Sequence, residues 1–365
     1  MGSLLANHTD SRDNNFNLLR FLAAGMVLVG HSFPLSGVAD EPLFGGLSLG
    51  YVAVDVFFVT SGLLVTRSLL VRGNPLAFAW ARFVRIYPAL WVAVLFCALP
   101  LGLSFSSLGF GAYLGDGQVG RFVLHNGTLV FGKLQYTLPG VFTHNPYPEA
   151  VNGSLWTLPW EIRMYAVLGA MGALAALLPR AWRLRAVQSG VVALAVLGTV
   201  AAVGHQWSGW WQHSPQSRGL RLLAMFFVGG SFYVLRGRVV LSHGFFLLGV
   251  VSLVLLQGQS RPFFLAYMLL VGYLVLYLGY VPGGFLRSFN RLGDVSYGLY
   301  IYAFPVQQGL AALQPGLGPG SMVIQAGLVT LVLAIASWRW IEKPALRSKE
   351  AYRRWVPAAW TRNPF

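Results

Sequence analysis

Long stretches without a single Asp, Glu, Lys or Arg dominate this sequence: Phe21–Ala39, Ile86–Gly115, Ala186–Ser217, Val239–Ser260 and Pro262–Leu286. A membrane crossing takes about 20 mainly apolar residues to span roughly 30 Å of hydrocarbon, and each run is of that order. A further run, Val295–Trp338, is too long for one crossing, and its turn-forming segment Gln314–Gly320 (QPGLGPG) divides it in two. Three more apolar segments carry or adjoin an ionisable group: Gly50–Leu70 around Asp55, Ser154–Leu178 around Glu161 and Arg163, and Gly219–Leu235 near Arg221. The expectation is an all-α integral membrane protein, a bundle of about ten transmembrane helices. They form one membrane-embedded domain over residues 1–365, with a core at about 14–347 and a basic cytoplasmic tail at 339–365.

Composition excludes the alternatives. Only 10% of the residues are charged and 56% are hydrophobic, whereas a soluble domain carries about 25% charged residues. The net charge of +15 therefore reads as loop arginines facing anionic lipid, not as a nucleic-acid surface. With the N-terminus inside, the inner segments hold Arg67, Arg72, Arg82, Arg85, Arg180, Arg183, Arg185, Arg236, Arg238, Arg287, Arg291 and the tail from Arg339. The outer side holds only Arg121, Lys133, Arg218, Arg221 and Arg261, so both termini are expected in the cytoplasm. The lone Cys97 excludes a disulfide framework or a cysteine metal site, and no metal is expected. The polar start, MGSLLANHTDSRDNN, has no apolar core of a signal peptide.

Two outer segments differ from simple connectors. Gly117–Gly153 is moderately apolar but rich in glycine and polar residues, which suits a re-entrant or interfacial lid. The aromatic loop Trp207–Arg218 suits an interfacial tryptophan belt, with a sugar-stacking platform as the alternative.

Charges inside a membrane cost at least about 2.5–3.5 kcal/mol each, so they mark function or a paired structural role. Arg20 and His31 lie eleven positions apart on the first span, which returns them to about the same helix face at a rise of roughly 16 Å. Arg20 alone would suit a snorkelling anchor, and His31 alone a structural histidine. Asp55 and Glu161 sit in the outer halves of descending spans, so His31, Asp55 and Glu161 are expected to meet in one outer cavity. A histidine beside a carboxylate has the makings of a general base. The rival is a structural ion pair of either acid with Arg163. Arg82 and Arg85 stand at i and i+3, adjacent on a helix surface, where with Arg20 they suit a polyphosphate or serve as ordinary inner arginines.

In chain order, Arg20 with His31, YVAVDVFFVTSG, ARFVRIYP, SLWTLPWEIRMY, GDVSYGLYIYAFP and IEKP resemble the acyltransferase-3 family of multi-pass membrane O-acyltransferases of bacterial glycans. The resemblance covers about Asn14 to Arg347. It implies an enzyme of the bacterial inner (plasma) membrane with acyl-CoA, usually acetyl-CoA, as cytoplasmic donor. It implies a carbohydrate or glycolipid acceptor on the outer side. By that likeness Arg20, Arg82 and Arg85 contact the CoA phosphates, His31 is the catalytic base, and Glu161 is the acid after the Ser-Leu-Trp motif. Asp55 and Ser61 match the second-span motif. Many members place a histidine before the proline of the ninth span, where this chain has Ala303. Longer relatives also carry an extra hydrolase-like domain, which is not expected here.

The expected function is transfer of an acyl group, acetyl in the first instance, to a sugar hydroxyl, either directly or through an acyl-histidine. The alternatives are a proton-coupled transporter of a glycolipid or small anion, and a non-catalytic scaffold. No inverted repeat or paired broken helices support the transporter.

Overall fold

The computed structural model describes residues 2–11, 13–39, 41–129, 133–208 and 215–354. The centre of the aromatic outer loop (209–214), the end of the basic tail (355–365) and Arg12 lie outside them. The protein is predominantly helical. Its principal helices are α1 (Phe16–Leu35), α2 (Leu49–Arg72), α3 (Pro75–Phe96), α4 (Gly117–Thr128), α5 (Leu158–Ala176) and α6 (Arg180–Ser208). They continue with α7 (Pro215–Val234), α8 (His243–Leu255), α9 (Ser260–Tyr280), α10 (Ser296–Leu313) and α11 (Pro319–Ser337). Sheet is confined to two antiparallel two-residue pairings, Ser3–Leu4 with Val240–Leu241 and Leu43–Phe44 with Leu47–Ser48.

Among the described residues, 6 helical segments are long and apolar enough to cross a membrane: Phe16–Leu35, Leu49–Arg72, Pro75–Phe105, Arg180–Ser208, Ser260–Tyr280 and Pro319–Ala351. This makes the chain a multi-pass membrane protein. The other expected spans correspond to α5, α7, α8 and α10, of which α8 is the shortest at 13 residues.

One boundary differs from expectation in a way that matters. The span expected to begin at Ile86 starts eleven residues earlier, at Pro75. Pro75 occupies the first helical turn, where a missing N–H costs nothing, and the Asn74 side chain accepts from the backbone N–H groups of Leu76 (2.8 Å) and Ala77 (3.1 Å). Arg82 and Arg85, adjacent on a helix surface by their spacing, therefore lie within the same helix as the apolar run that follows them. The same helix runs on through a π-turn at Cys97–Leu101, which contains Pro100.

The tightest crossing lies between α2 and α7. A Cβ on Gly62 would meet the Phe226 carbonyl oxygen at 1.8 Å, and one on Gly229 would meet that of Val59 at 2.0 Å. Hydrocarbon solvent gives no hydrophobic drive between helices, so close backbone approach through small residues supplies the packing. This crossing fixes Ser61, the neighbour of Gly62, in place.

Among its described residues, the segment Gly117–Gly153, expected on the outer side, holds no membrane-crossing helix and is anchored at both ends. It opens with α4, which is capped by the Asp116 side chain on the N–H of Gln118 (2.8 Å). Its last part is held to α10 by Gln308, which donates to the carbonyls of Tyr147 (2.8 Å) and Ala150 (2.6 Å).

Candidate active site

The expected catalytic residues occupy three separate places. His31 lies near the end of α1 that the outer segment covers. Its ring meets the edge of Phe304 with centroids 5.3 Å apart, and Phe304 in turn meets Tyr147 of the outer segment at 6.2 Å. The His31 Nδ1 atom is buried with no hydrogen-bond partner. The next residue, Ser32, is bound instead: its hydroxyl donates to the Leu28 carbonyl (2.9 Å), and Gln307 donates to Ser32 Oγ (2.8 Å). Ala303, where many relatives place a histidine, is fully buried in an apolar cluster with Leu28, Leu35 and Met322.

Asp55 does not face His31. It is fully buried and accepts from Arg221 Nη1 at 2.5 Å and from the Tyr267 hydroxyl at 2.8 Å. Arg221 also lies over the Tyr51 ring, 3.3 Å from its centre. The ion pair thus forms with Arg221 on α7, while Arg163 packs over Trp160 at 4.5 Å. Arg163 projects away from both acids because it is two residues from Glu161 on one helix.

Glu161 lies at the level of Arg20, well away from His31 along α1. It accepts from the Tyr165 hydroxyl and, at 3.4 Å, from Ser61 Oγ. Glu161 and Ser61 line a small cavity of about 30 Å³ with Arg20, Thr157, Tyr297 and Tyr300. Its tyrosine wall is rigid, since Tyr300 donates to the Ser154 carbonyl and meets Thr157 Oγ1, both at 2.7 Å.

The arginines below this cavity separate into two groups. Arg20 and Arg85 converge on one carboxylate oxygen, Asp294 Oδ2, at 3.4 and 2.5 Å. Arg85 also reaches Glu342 Oε2 at 3.4 Å. Each acid is fixed by a serine: Ser296 donates to Asp294 at 2.5 Å and Ser337 to Glu342 at 3.0 Å. Burial pushes the Asp294 carboxyl up, but Arg20, Arg85 and Ser296 outweigh it and hold the group at about 2. Asp294 and Glu342 come from the GDVSYG and IEKP motifs, and the sequence reading gave neither a role. Their signal was the shortage of acids, 11 against 26 basic residues, because arginines drawn into a bundle need acidic partners.

Arg82 is apart from this cluster. It lines an apolar groove of about 840 Å³ between α3 and α5, with Phe78, Phe83 and Tyr87 on one side and Tyr165, Gly169 and Ala173 on the other. Among the described residues no group of three or more His, Cys, Asp or Glu side chains comes together as a metal site would require.

The acyltransferase-3 model, described as an acyltransferase domain, matches residues 13–339. The chain is 30% identical over 350 residues to an O-acetyl transferase of Shigella phage Sf6, covering 91% of this chain and 96% of that protein. It is 28% identical to the exopolysaccharide production protein ExoZ of Rhizobium meliloti, over 84% and 92% of the two chains. Nodulation protein 10 of Rhizobium leguminosarum bv. viciae is 27% identical, over 93% and 95%. No solved structure matches the chain. With the family model covering most of its length and the motifs falling on the buried cation cluster, the Glu161 cavity and the His31 site, this chain belongs to the acyltransferase-3 family of membrane acyltransferases.

Proposed function

We propose that the protein is an O-acyltransferase of the bacterial inner membrane that acylates an extracytoplasmic glycan or glycolipid. The donor is acyl-CoA from the cytoplasm, acetyl-CoA in the first instance, and both termini are cytoplasmic. The observation that carries the reading is the layout of α1. Arg20 stands in a buried cation cluster at one end, and His31, its Nδ1 free, stands at the other beneath the outer segment. The roughly 16 Å between them is a span that a pantetheine arm covers. The relatives' names, an O-acetyl transferase and an exopolysaccharide production protein, support the acyl group and the acceptor class.

In this reading Arg20 and Arg85 meet the donor phosphates, which displace the carboxylate of Asp294 as the shared anion. The pantetheine arm passes the hydroxyl-lined cavity of Ser61, Thr157, Tyr300 and Glu161. His31 takes the proton from the sugar hydroxyl as its oxygen attacks the thioester carbonyl. The C–S bond breaks, the acyl group stays on the sugar oxygen, and the proton leaves with the CoA thiol. Asp55 has no part in these steps and instead ties α2 to α7 and α9.

Sidedness is the test. Inverted inner-membrane vesicles containing the protein, given radiolabelled acetyl-CoA outside, should label glycan sealed in the lumen. Sealed right-side-out vesicles should stay unlabelled. Equal labelling from both sides would remove the cytoplasmic donor from the account.

A further inference from the structure

Arg82 and Arg85 are neighbours on α3, yet their side chains go to different partners. Arg85 enters the Asp294–Glu342 cluster. Arg82 turns toward α5 and lies 5.6 Å from the centre of the Tyr165 ring and 6.0 Å from that of Phe78. Its Nε is buried without a partner, and among the described residues Arg82 forms no ion pair. The Tyr165 hydroxyl donates to Glu161 Oε1, the same oxygen that Ser61 approaches. Tyr165 is therefore a partition: it faces the apolar groove together with Arg82, and through its hydroxyl it holds the carboxylate of the inner cavity.

A donor phosphate reaching Arg82 from the groove would meet aromatic and alanine walls and no second cation. We infer that Arg82 is a positioning residue that acts on Glu161 through Tyr165, and is not a contact to the donor. This rests on the acyltransferase reading given above. Arg82 supplies the cation that orients and polarises the phenol. The phenol fixes the Glu161 carboxylate toward Ser61 and the passage between the cation cluster and His31.

The groups facing Glu161 are Arg20 on α1, Ser61 on α2, Arg82 and Arg85 on α3, Tyr165 on its own helix, and Tyr297 and Tyr300 on α10. The donated hydrogen bond of Tyr165, with the cation beside its ring, fixes where the Glu161 carboxylate sits. Removing either loosens that placement and lowers turnover without touching donor binding.

The experiment is steady-state turnover of acetyl-CoA by purified protein in detergent, with an envelope glycolipid extract as acceptor probe. It compares wild type, Tyr165→Phe, Arg82→Gln, Arg82→Lys and the double variant Tyr165→Phe/Arg82→Gln. Tyr165→Phe and Arg82→Gln should each lower kcat about 10- to 100-fold, the scale of a group misplaced near the reacting atoms. Both should leave the donor KM unchanged. The double variant should lose no more than the worse single, because both act along one path. Arg82→Lys should restore most of the lost kcat. A donor KM raised by Arg82→Gln with kcat unchanged overturns the inference, and so does a Tyr165→Phe enzyme that matches wild type. If Arg82→Gln fails to fold, Tyr165→Phe and Arg82→Lys still decide the matter. No turnover by wild type would instead strike the acyltransferase reading itself.

Discussion

In the proposed reaction His31 is the base, and its Nδ1 is buried without a hydrogen-bond partner among the described residues. The spacing of Arg20 and His31 was legible in the sequence because both belong to one helix, where the repeat alone decides which face a residue takes. Partners on other helices were not. Asp55 meets Arg221, 166 residues further along the chain, while the nearby Arg163 turns to Trp160. Sequence distance carries no information about such a pairing; only the packing of α2 against α7 does. A direct consequence follows for Asp55→Asn, which keeps the shape but leaves Arg221 as a buried unpaired cation. Breaking such a pair costs about 3–5 kcal/mol. Thermal unfolding in detergent should therefore move to clearly lower temperature, while turnover per folded molecule is retained. An Asp55→Asn protein as stable as wild type and inactive would return Asp55 to the catalytic set.

At the scale of elements, apolar runs free of charge predicted where helices lie but misplaced the start of α3. The rule assumes that an arginine marks water. Here Arg85 is neutralised within the bundle by Asp294 and Glu342, and Arg82 is covered by Phe78 and Tyr165. The mixed polarity of Gly117–Gly153 suits a re-entrant or interfacial segment, and its described residues form α4 and a stretch tied to α10 by Gln308. The glycine contact of α2 with α7 could not be read from glycine content alone, since the chain has 43 of them. Gly62→Ala would drive a Cβ into the Phe226 carbonyl. Helices α2 and α7 would have to separate, and Ser61 would move with them. Its yield of monodisperse protein should fall several-fold, whereas Gly46→Ala, at a position with open space but a left-handed backbone, should cost only about 1 kcal/mol. Equal yields of Gly62→Ala and wild type would contradict the close crossing.

Across the whole molecule, three polar stations stand in an apolar bundle. They are the Arg20–Asp294–Arg85–Glu342 cluster, the cavity of Ser61, Glu161 and Tyr300, and His31 beside Phe304. Each draws residues from several helices, so it forms only once the bundle is assembled. The most direct measurement is binding and transfer of radiolabelled acetyl-CoA by the purified protein, wild type against His31→Ala. The His31→Ala protein should fold and bind the donor as wild type does, with transfer to the acceptor lost. Full transfer by the His31→Ala protein would contradict the proposed role of His31.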